Sequence, residues 1–518
     1  MDRRLLVVLL LALVLRTVNV ETIPYWHWDE GVNLHLAWNL AHGESRWFAL
    51  AYRWVPHPPL YFMVLGLVLR LAGYTILVGR LFNVALSLAT CFVVYLLGRE
   101  VDDERTGLVA ALAYAVSPFA VYWGRLSYSN NLVSLIAALS LFLLLTYFRT
   151  KNPVRLYVAA FVSGLAAVTG YNGFFVPLSL GAVILLTEKR SFPAVIIISS
   201  LPFLAFAAVM FRFDLAGFIH DLNYQFFRFG GPSPLWRFLL LFAVAYYIRK
   251  TKLAGFFVEI WKMIVRDAPV YWAAYAVLLV YPHTDDSFLM GFDPYFIGAL
   301  GLVSHPSTFK KFGMRTYFAF AFLMAFALNR VDHMLIPLHP LLALGVGRIA
   351  VDAYGLNSRY VRRLSNAGTV ALLLTSIPFA AAALSDVALV GFGYRVEHQN
   401  LDGFFGAAAR VREITRPGDV VLTYSQMDYL LPDTLNGELV QSVPYNGVAV
   451  TYYAGDFPPE RWLFNTSIQN ARAVVLSNGT LKWANETAGF EDVYAEISKW
   501  PREDVGQYLI LLNPRKRV

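Results

Sequence analysis

Cysteine is all but absent. The chain of 518 residues has one, Cys91, and it lies inside an apolar run. A single thiol excludes an intrachain disulfide framework and a cysteine metal cluster. Charge is scarce too: Asp, Glu, Lys and Arg make up 15% of the residues, against about 25% in a soluble domain. There is no internal repeat and no low-complexity tract. The first apolar segment begins at Leu5, and no small-x-small cleavage site follows around Thr17 to Glu21. That segment is therefore read as a retained membrane helix and not as a signal peptide.

What is abundant is hydrophobic sequence, at 57% of the chain with a mean hydropathy of +0.51. Apolar runs of about twenty residues recur through the first three-quarters, which is the pattern of a polytopic helical membrane protein. The net charge of +8 is no nucleic-acid footprint, because the basic residues fall in short loops between apolar runs. Hydropathy and loop charge predict about thirteen spans. They are 5–20, 76–97, 107–123, 132–148, 156–170, 173–187, 193–211, 234–249, 268–282, 294–304, 316–329, 334–351 and 367–390.

Loop charge also sets an expected topology. Arg3 and Arg4 place the N-terminus in the cytoplasm. If the run 58–73 does not span, the basic clusters at Arg99 and Arg105, at Arg149 to Arg155, at Lys189 and Arg190 and in the later loops all fall inside. That run opens with Pro58-Pro59 and carries Arg70, which suits an interfacial helix. The segment after Asp29 reads as a second surface helix. An odd number of spans leaves the C-terminus outside.

Beyond about Gly391 the composition turns polar. Strand-like runs at 420–424, 473–476 and 508–512 alternate with helical patterns at 402–414 and 459–470. The expected organisation is a membrane domain over 1–390 and a small extracytoplasmic α/β domain over 391–518. Three N-glycosylation sequons, at Asn465, Asn478 and Asn485, fall in that domain, and such sites are used only outside the cytoplasm.

The most informative stretch is Trp28-Asp29-Glu30-Gly31, with His57-Pro58-Pro59-Leu60-Tyr61 in the same external loop. Adjacent carboxylates at a membrane surface are costly unless solvated or used. The plainer account is a helix N-terminus, whose dipole favours acids in the first turn. The same expected face collects His35, His42 and Glu44, then Arg125 with Asn130, then Asp293, then Asp332 and His333. Acids, imidazoles and arginines converging there suit an anionic, hydroxyl-rich ligand at the lipid boundary. Against this stands the ordinary polarity of loops and the snorkelling of arginine at helix ends.

The order Asp-Glu after the first helix, then His-Pro-Pro-Leu-Tyr, then Gly98-Arg99-Glu100 with Gly107-Leu108-Val109-Ala110-Ala111, then Ser117-Pro118-Phe119 leading to Arg125, resembles the GT-C glycosyltransferases. The similar branch is the protein O-mannosyltransferase and aminoarabinose-transferase type. Pro337-Leu338-His339-Pro340 resembles its late Pro-x-x-Pro helix. The resemblance covers about residues 1–350. It implies an integral-membrane hexosyl- or pentosyltransferase that moves one sugar from a polyprenyl (dolichyl)-phosphate carrier to a hydroxyl of a protein, lipid or glycan acceptor. It implies Asp29 as general base with Glu30 beside it, and His57 and Arg125 at the donor phosphate. Asn130, Asp293, Asp332 and His333 are further substrate-binding candidates. Asn130 stands where the family often has an acid, which puts a two-acid site in doubt and removes one candidate metal ligand. No cofactor is assigned, and a divalent metal is left open. The Trp-Trp-Asp-Tyr-Gly signature of oligosaccharyltransferases is absent. No Gly-rich phosphate loop supports a nucleotide-sugar donor.

The expected location is the plasma membrane of an archaeal or bacterial cell, with a lipid-linked donor and the bilayer as partners and no nucleic acid. A transporter or flippase of lipid-linked sugars is the competing reading, but two matching halves with broken helices are not found. A membrane scaffold leaves Asp29, Glu30 and His57 unexplained.

Overall fold

The computed structural model describes residues 2–22, 28–42, 58–228, 332–354, 366–370, 401–423, 427–437, 464–477 and 490–516, with isolated positions between them. The expected spans 234–249, 268–282, 294–304 and 316–329 lie outside the described residues, as do His57, Asp293, Asn478 and Asn485. The chain forms two compact units. The first comprises Met1–Pro24, His57–Tyr61 and Arg80–Glu397; the second comprises Tyr25–Pro56, Phe62–Gly79 and His398–Val518.

The first unit is a helical bundle: α1 (Arg3–Thr17), α4 (Ile76–Val101), α5 (Glu104–Val116), α6 (Pro118–Trp123), α7 (Ser129–Thr150), α8 (Pro153–Ala167), α9 (Phe175–Thr187), α10 (Phe192–Arg228) and α11 (His339–Tyr354). α2 (Trp28–Ala41) and α3 (Leu60–Ala72) lie between α1 and α4 in the chain. Local chemistry sets the starts. Asp2, Asp103 and Asn152 each cap a helix through a side-chain oxygen. The expected span 107–123 is broken in two. Pro118 has no N–H to donate and the Ser117 side chain caps α6 through the Ala120 N–H, so α5 stops and a new helix starts.

Among the described residues, four helical stretches are long and apolar enough to cross a membrane: Ile76–Val101, Ser129–Thr150, Phe192–Arg212 and Leu335–Asp352. With the shorter apolar helices between them, this is a polytopic membrane fold. Small residues let the helices approach closely. A Cβ on Gly98 would meet Gly107 Cα at 2.5 Å, and one on Gly107 would meet the Tyr95 carbonyl oxygen at 2.5 Å. Gly107→Val should therefore cost about 1–3 kcal/mol through overpacking, read as a lower Tm of the detergent-solubilised protein.

Ion pairs and hydrogen bonds fix the helix directions. At one end of the bundle Arg4 pairs with Glu104 at 3.9 Å, Arg149 with Glu100 at 2.8 Å and Lys151 with Glu188 at 2.7 Å. Arg348 there bridges Asp102 and Asp352. The N-terminus and the loops at 98–106, 149–155 and 188–190 therefore share that end. At the other end Arg80, in the second turn of α4, donates to the Val20 carbonyl just past α1 at 2.9 Å. Leu60 N–H donates to the Val168 carbonyl at the end of α8 at 2.9 Å. Asn83 donates to the Tyr61 hydroxyl at 2.9 Å. The first residues of α3 and the first turns of α4 thus meet at one bundle end, although the 13 residues of α3 run between them. At about 1.5 Å per residue, α3 is also short against a hydrocarbon core of about 30 Å.

In the second unit the C-terminal segment forms a five-stranded mixed sheet. Its elements are α12 (Leu401–Ile414), β1 (Val420–Leu422), β2 (Leu435–Gly437), β3 (Ala471–Ser477), α13 (Phe490–Ile497), β4 (Arg502–Val505) and β5 (Tyr508–Leu512). The order is β2-β1-β3-β5-β4. β1 is parallel to β2 and β3, while β5 is antiparallel to β3 and β4. Val420, Leu422, Val474, Leu476 and Leu511 pack with Phe490, Val493 and Ile497 of α13. The helix expected over 459–470 is not formed in its described part: residues 464–470 bend, run irregularly and then turn. The Asn465 carboxamide oxygen accepts from the Ser467 N–H at 2.8 Å, a local bond that competes with helix.

Candidate functional site

The bundle end that lacks the ion pairs holds three arginines, Arg16, Arg80 and Arg125, each fully buried. Arg16 is saturated. Its Nε donates to Ser87 Oγ at 2.8 Å, Nη1 to the Ala115 carbonyl at 2.8 Å and Nη2 to the Tyr114 carbonyl at 3.1 Å. These carbonyls close α5, so the guanidinium sits where a helix C-terminus favours a cation. Arg80 and Arg125 both hold the turn after α1, through the carbonyls of Val20 and Val18. Both bonds are structural.

Arg125 differs from Arg16 in what is left over. Its Nη2 donates to Val18 at 2.5 Å, but its Nε and Nη1 are buried with no hydrogen-bond partner among the described residues. No carboxylate among the described residues pairs with it. Burial, then the charges of Arg80 and Arg16, pull its pKa down to about 9. It remains charged at pH 7 in a field that disfavours that charge. An anion beside it would relieve both the field and the two orphaned N–H groups.

Polar side chains continue from this point. Asn131 donates to Asn83 Oδ1 at 3.2 Å and to the Trp123 and Leu126 carbonyls at 3.0 Å. Asn130, buried in the first turn of α7, accepts from Asn172 at 2.8 Å. His339 opens α11 with its Nε2 3.4 Å from Ser117 Oγ and its ring 4.4 Å from that of Phe119. Asp332 and His333 lie in the 3-10 segment Asp332–Leu338 that leads into α11; their side chains lie outside the described ones.

The second unit contains Asp29 and Glu30, both in the first turn of α2. Helical periodicity separates them by about 100°. Glu30 shares a stripe with Ala37 and Ala41, and that stripe packs against α3: a Cβ on Gly66 would lie 2.3 Å from the Ala37 carbonyl oxygen and 3.0 Å from Ala41 Cβ. Glu30 is accordingly fully buried, whereas Asp29 is half-buried. Of the pair, Asp29 is the more exposed. His42 caps the helix end by bonding the Trp38 carbonyl through Nδ1 at 2.9 Å. Asn465 is exposed.

No three His, Cys, Asp or Glu side chains among the described residues gather at metal-binding spacing.

Sequence reasoning singled out Arg125 and passed over Arg16 and Arg80. The signal was there: each is a lone arginine in an apolar run, and such residues are functional or structural by default. Asp428, described below, gave no signal, since it is one acid in a polar segment.

Comparison with known proteins agrees with this architecture. Residues 56–213 match the family described as dolichyl-phosphate-mannose-protein mannosyltransferase. No curated protein matches the chain. Among solved structures, the chain is similar to ArnT from Cupriavidus metallidurans bound to undecaprenyl phosphate, at a TM-score of 0.59 and 12% identity over 99% of this chain and 98% of that one. It is also similar to the archaeal oligosaccharyltransferase AglB from Archaeoglobus fulgidus in complex with an inhibitory peptide and a dolichol-phosphate. There the TM-score is 0.59 and the identity 13%, over 99% of this chain and 74% of that one. By fold the chain is similar to these membrane proteins of known structure.

Proposed function

We propose that this chain is an integral-membrane glycosyltransferase that moves one sugar from a polyprenyl-phosphate carrier to a hydroxyl acceptor on the extracytoplasmic face. The observation that carries the reading is the buried, uncompensated Arg125 guanidinium, which calls for an anion at one end of an apolar bundle. A lipid phosphate supplies that anion while its tail stays in the bilayer. The undecaprenyl phosphate and dolichol-phosphate of the two similar structures support the same class of carrier.

The chemistry follows from ordinary reactivity. An acceptor hydroxyl is a weak nucleophile, and the Asp29 carboxylate takes its proton as the oxygen attacks the anomeric carbon. The bond from that carbon to the phosphate oxygen breaks, and the electron pair leaves with the lipid phosphate. Arg125, with His57 as a second cation when protonated, holds the phosphate from binding to departure, which keeps it a good leaving group. Attack opposite the leaving phosphate inverts the anomeric centre. The sugar is a hexose or a pentose, and the acceptor a protein, lipid or glycan.

The proposed orientation has the N-terminus inside and the segment 391–518 outside, with 58–73 along the membrane. The pairing of the N-terminus with the basic loops at one bundle end supports it. Single cysteines in 460–490, on a Cys91→Ser background, should react in intact cells with a membrane-impermeant maleimide, whereas single cysteines in 98–106 should not. Labelling of 98–106 would overturn the orientation.

The activity is tested with the purified full chain in proteoliposomes, labelled dolichyl-phosphate mannose or a polyprenyl-phosphate pentose as donor, and a membrane lysate as acceptor source. Label should pass from the lipid to a water-soluble or protein fraction, with free lipid phosphate formed. Movement of intact lipid-linked sugar across the bilayer without transfer would replace this reading with that of a carrier.

A further inference from the structure

The C-terminal segment does more than lie beyond the membrane helices in the chain, because it packs on α2. The 3-10 turn Asp428–Leu430 follows β1. Asp428 is fully buried and His35, in the middle of α2, nearly so; His35 Nδ1 lies 4.0 Å from Asp428 Oδ2. That is ion-pair distance for a protonated imidazole. Beside it the Trp38 ring stacks on Tyr74 at 4.6 Å, and Tyr74 meets the Tyr429 ring edge-on at 6.1 Å. Burial, then the charge of Asp428, holds the Tyr74 hydroxyl well above its usual pKa, so Tyr74 stays neutral against this acid.

These contacts use one side of α2. His35, Asn39 and His42 recur at the spacing of one helical stripe, with Trp38 at its edge. The stripe of Glu30, Ala37 and Ala41 is held separately by Gly66 of α3. Asp29 lies on a third stripe, with Asn33, Leu36 and Leu40. A helix gripped on two sides cannot roll, and the third side is thereby aimed.

We infer that Asp428 and Tyr429 of the C-terminal domain are positioning residues: by clamping His35 and, through Tyr74, Trp38, they fix the rotation and height of α2 and so set where Asp29 points. The proposal rests on the reading of Asp29 as the base. It gives the C-terminal domain a part in the transfer step without touching the substrate. A displacement of about 1 Å in a catalytic group costs about 10²-fold in rate, so a modest loosening of the clamp is visible.

The test is Asp428→Asn in the full-length protein in proteoliposomes, with labelled dolichyl-phosphate mannose as donor. The expected result is a fall in kcat of about 10- to 100-fold with the donor KM unchanged within about twofold. In an Asp29→Asn background the same substitution should cost nothing further, because it acts through a group already removed. An unchanged kcat, a KM that rises in step, or a loss that multiplies with that of Asp29→Asn would each overturn the proposal. Amide hydrogen exchange across residues 28–42 separates the two readings. Unchanged protection in Asp428→Asn sinks the clamp whatever Asp29 does. Raised protection loss together with an active Asp29→Asn enzyme sinks the base assignment, and with it the catalytic role of the clamp. If Asp428→Asn does not accumulate as folded protein, Tyr429→Leu on the same turn carries the same expectations.

Discussion

Asp29→Asn is expected to lower sugar transfer by about 10²–10⁴-fold, the usual loss when a positioned general base is removed. Asparagine keeps the size and the hydrogen-bonding reach of aspartate but cannot take a proton from the acceptor hydroxyl. The loss should appear in kcat, with donor KM nearly constant, because the proton moves only as attack begins. Membrane insertion and Tm should change little, since Asp29 is half-exposed at a helix start. The helix-dipole account of the same residue predicts the opposite balance: a stability loss of about 0.3–1 kcal/mol and unchanged catalysis. Glu30→Gln is the control. Glu30 is fully buried on the stripe that faces α3, so its substitution should cost more stability and less rate. Near-full transfer by Asp29→Asn with loss in Glu30→Gln would exchange the roles. Activity in both would remove this loop from the reaction.

The helices of the first 228 residues were legible because apolar length and loop charge are properties of single segments. The expected spans 132–148, 156–170 and 173–187 correspond to α7, α8 and α9 with ends moved by at most three residues. Where a local competitor intervened, segment-level reading failed. Ser117-Pro118 stops one helix and caps the next, although the hydropathy runs straight through. In the C-terminal segment the apolar strands β1, β3 and β5 stood out, but β2 and β4 did not. β4 reads Arg-Glu-Asp-Val and is held as an edge strand by β5, a tertiary cause that overrides propensity. The site was legible only in part. Asp29, Glu30 and Arg125 stand out as charges in apolar surroundings. That Glu30 is closed off by Gly66, and that Asp428 reaches His35, depends on contacts made across long stretches of chain. No local pattern encodes them.

Replacing Arg125 should raise the apparent KM for the lipid-linked donor by about 10- to 100-fold, the worth of hydrogen bonds to a charged partner, and lower kcat less. Two of its N–H groups are buried without partners among the described residues, and Arg80 and Arg16 add to the positive field around it. On the proposed reading the guanidinium awaits an anion, and a phosphate held equally in ground and transition states shows in KM. Arg125→Ala also loses the bond to the Val18 carbonyl, so some stability should go with it. Arg125→Lys separates the two effects. Lysine keeps the charge and can reach one acceptor, but not the Val18 carbonyl and a phosphate together, because it lacks the planar fork. It should recover part of the donor affinity and little of the stability. An Arg16 variant is the contrast: each nitrogen of that guanidinium donates to a protein oxygen, so its loss should lower Tm and leave the donor KM of the folded fraction alone. A donor KM unchanged in both Arg125 variants would mean that the guanidinium only ties α1 to the turn before α7, and the anion site would have to be sought elsewhere.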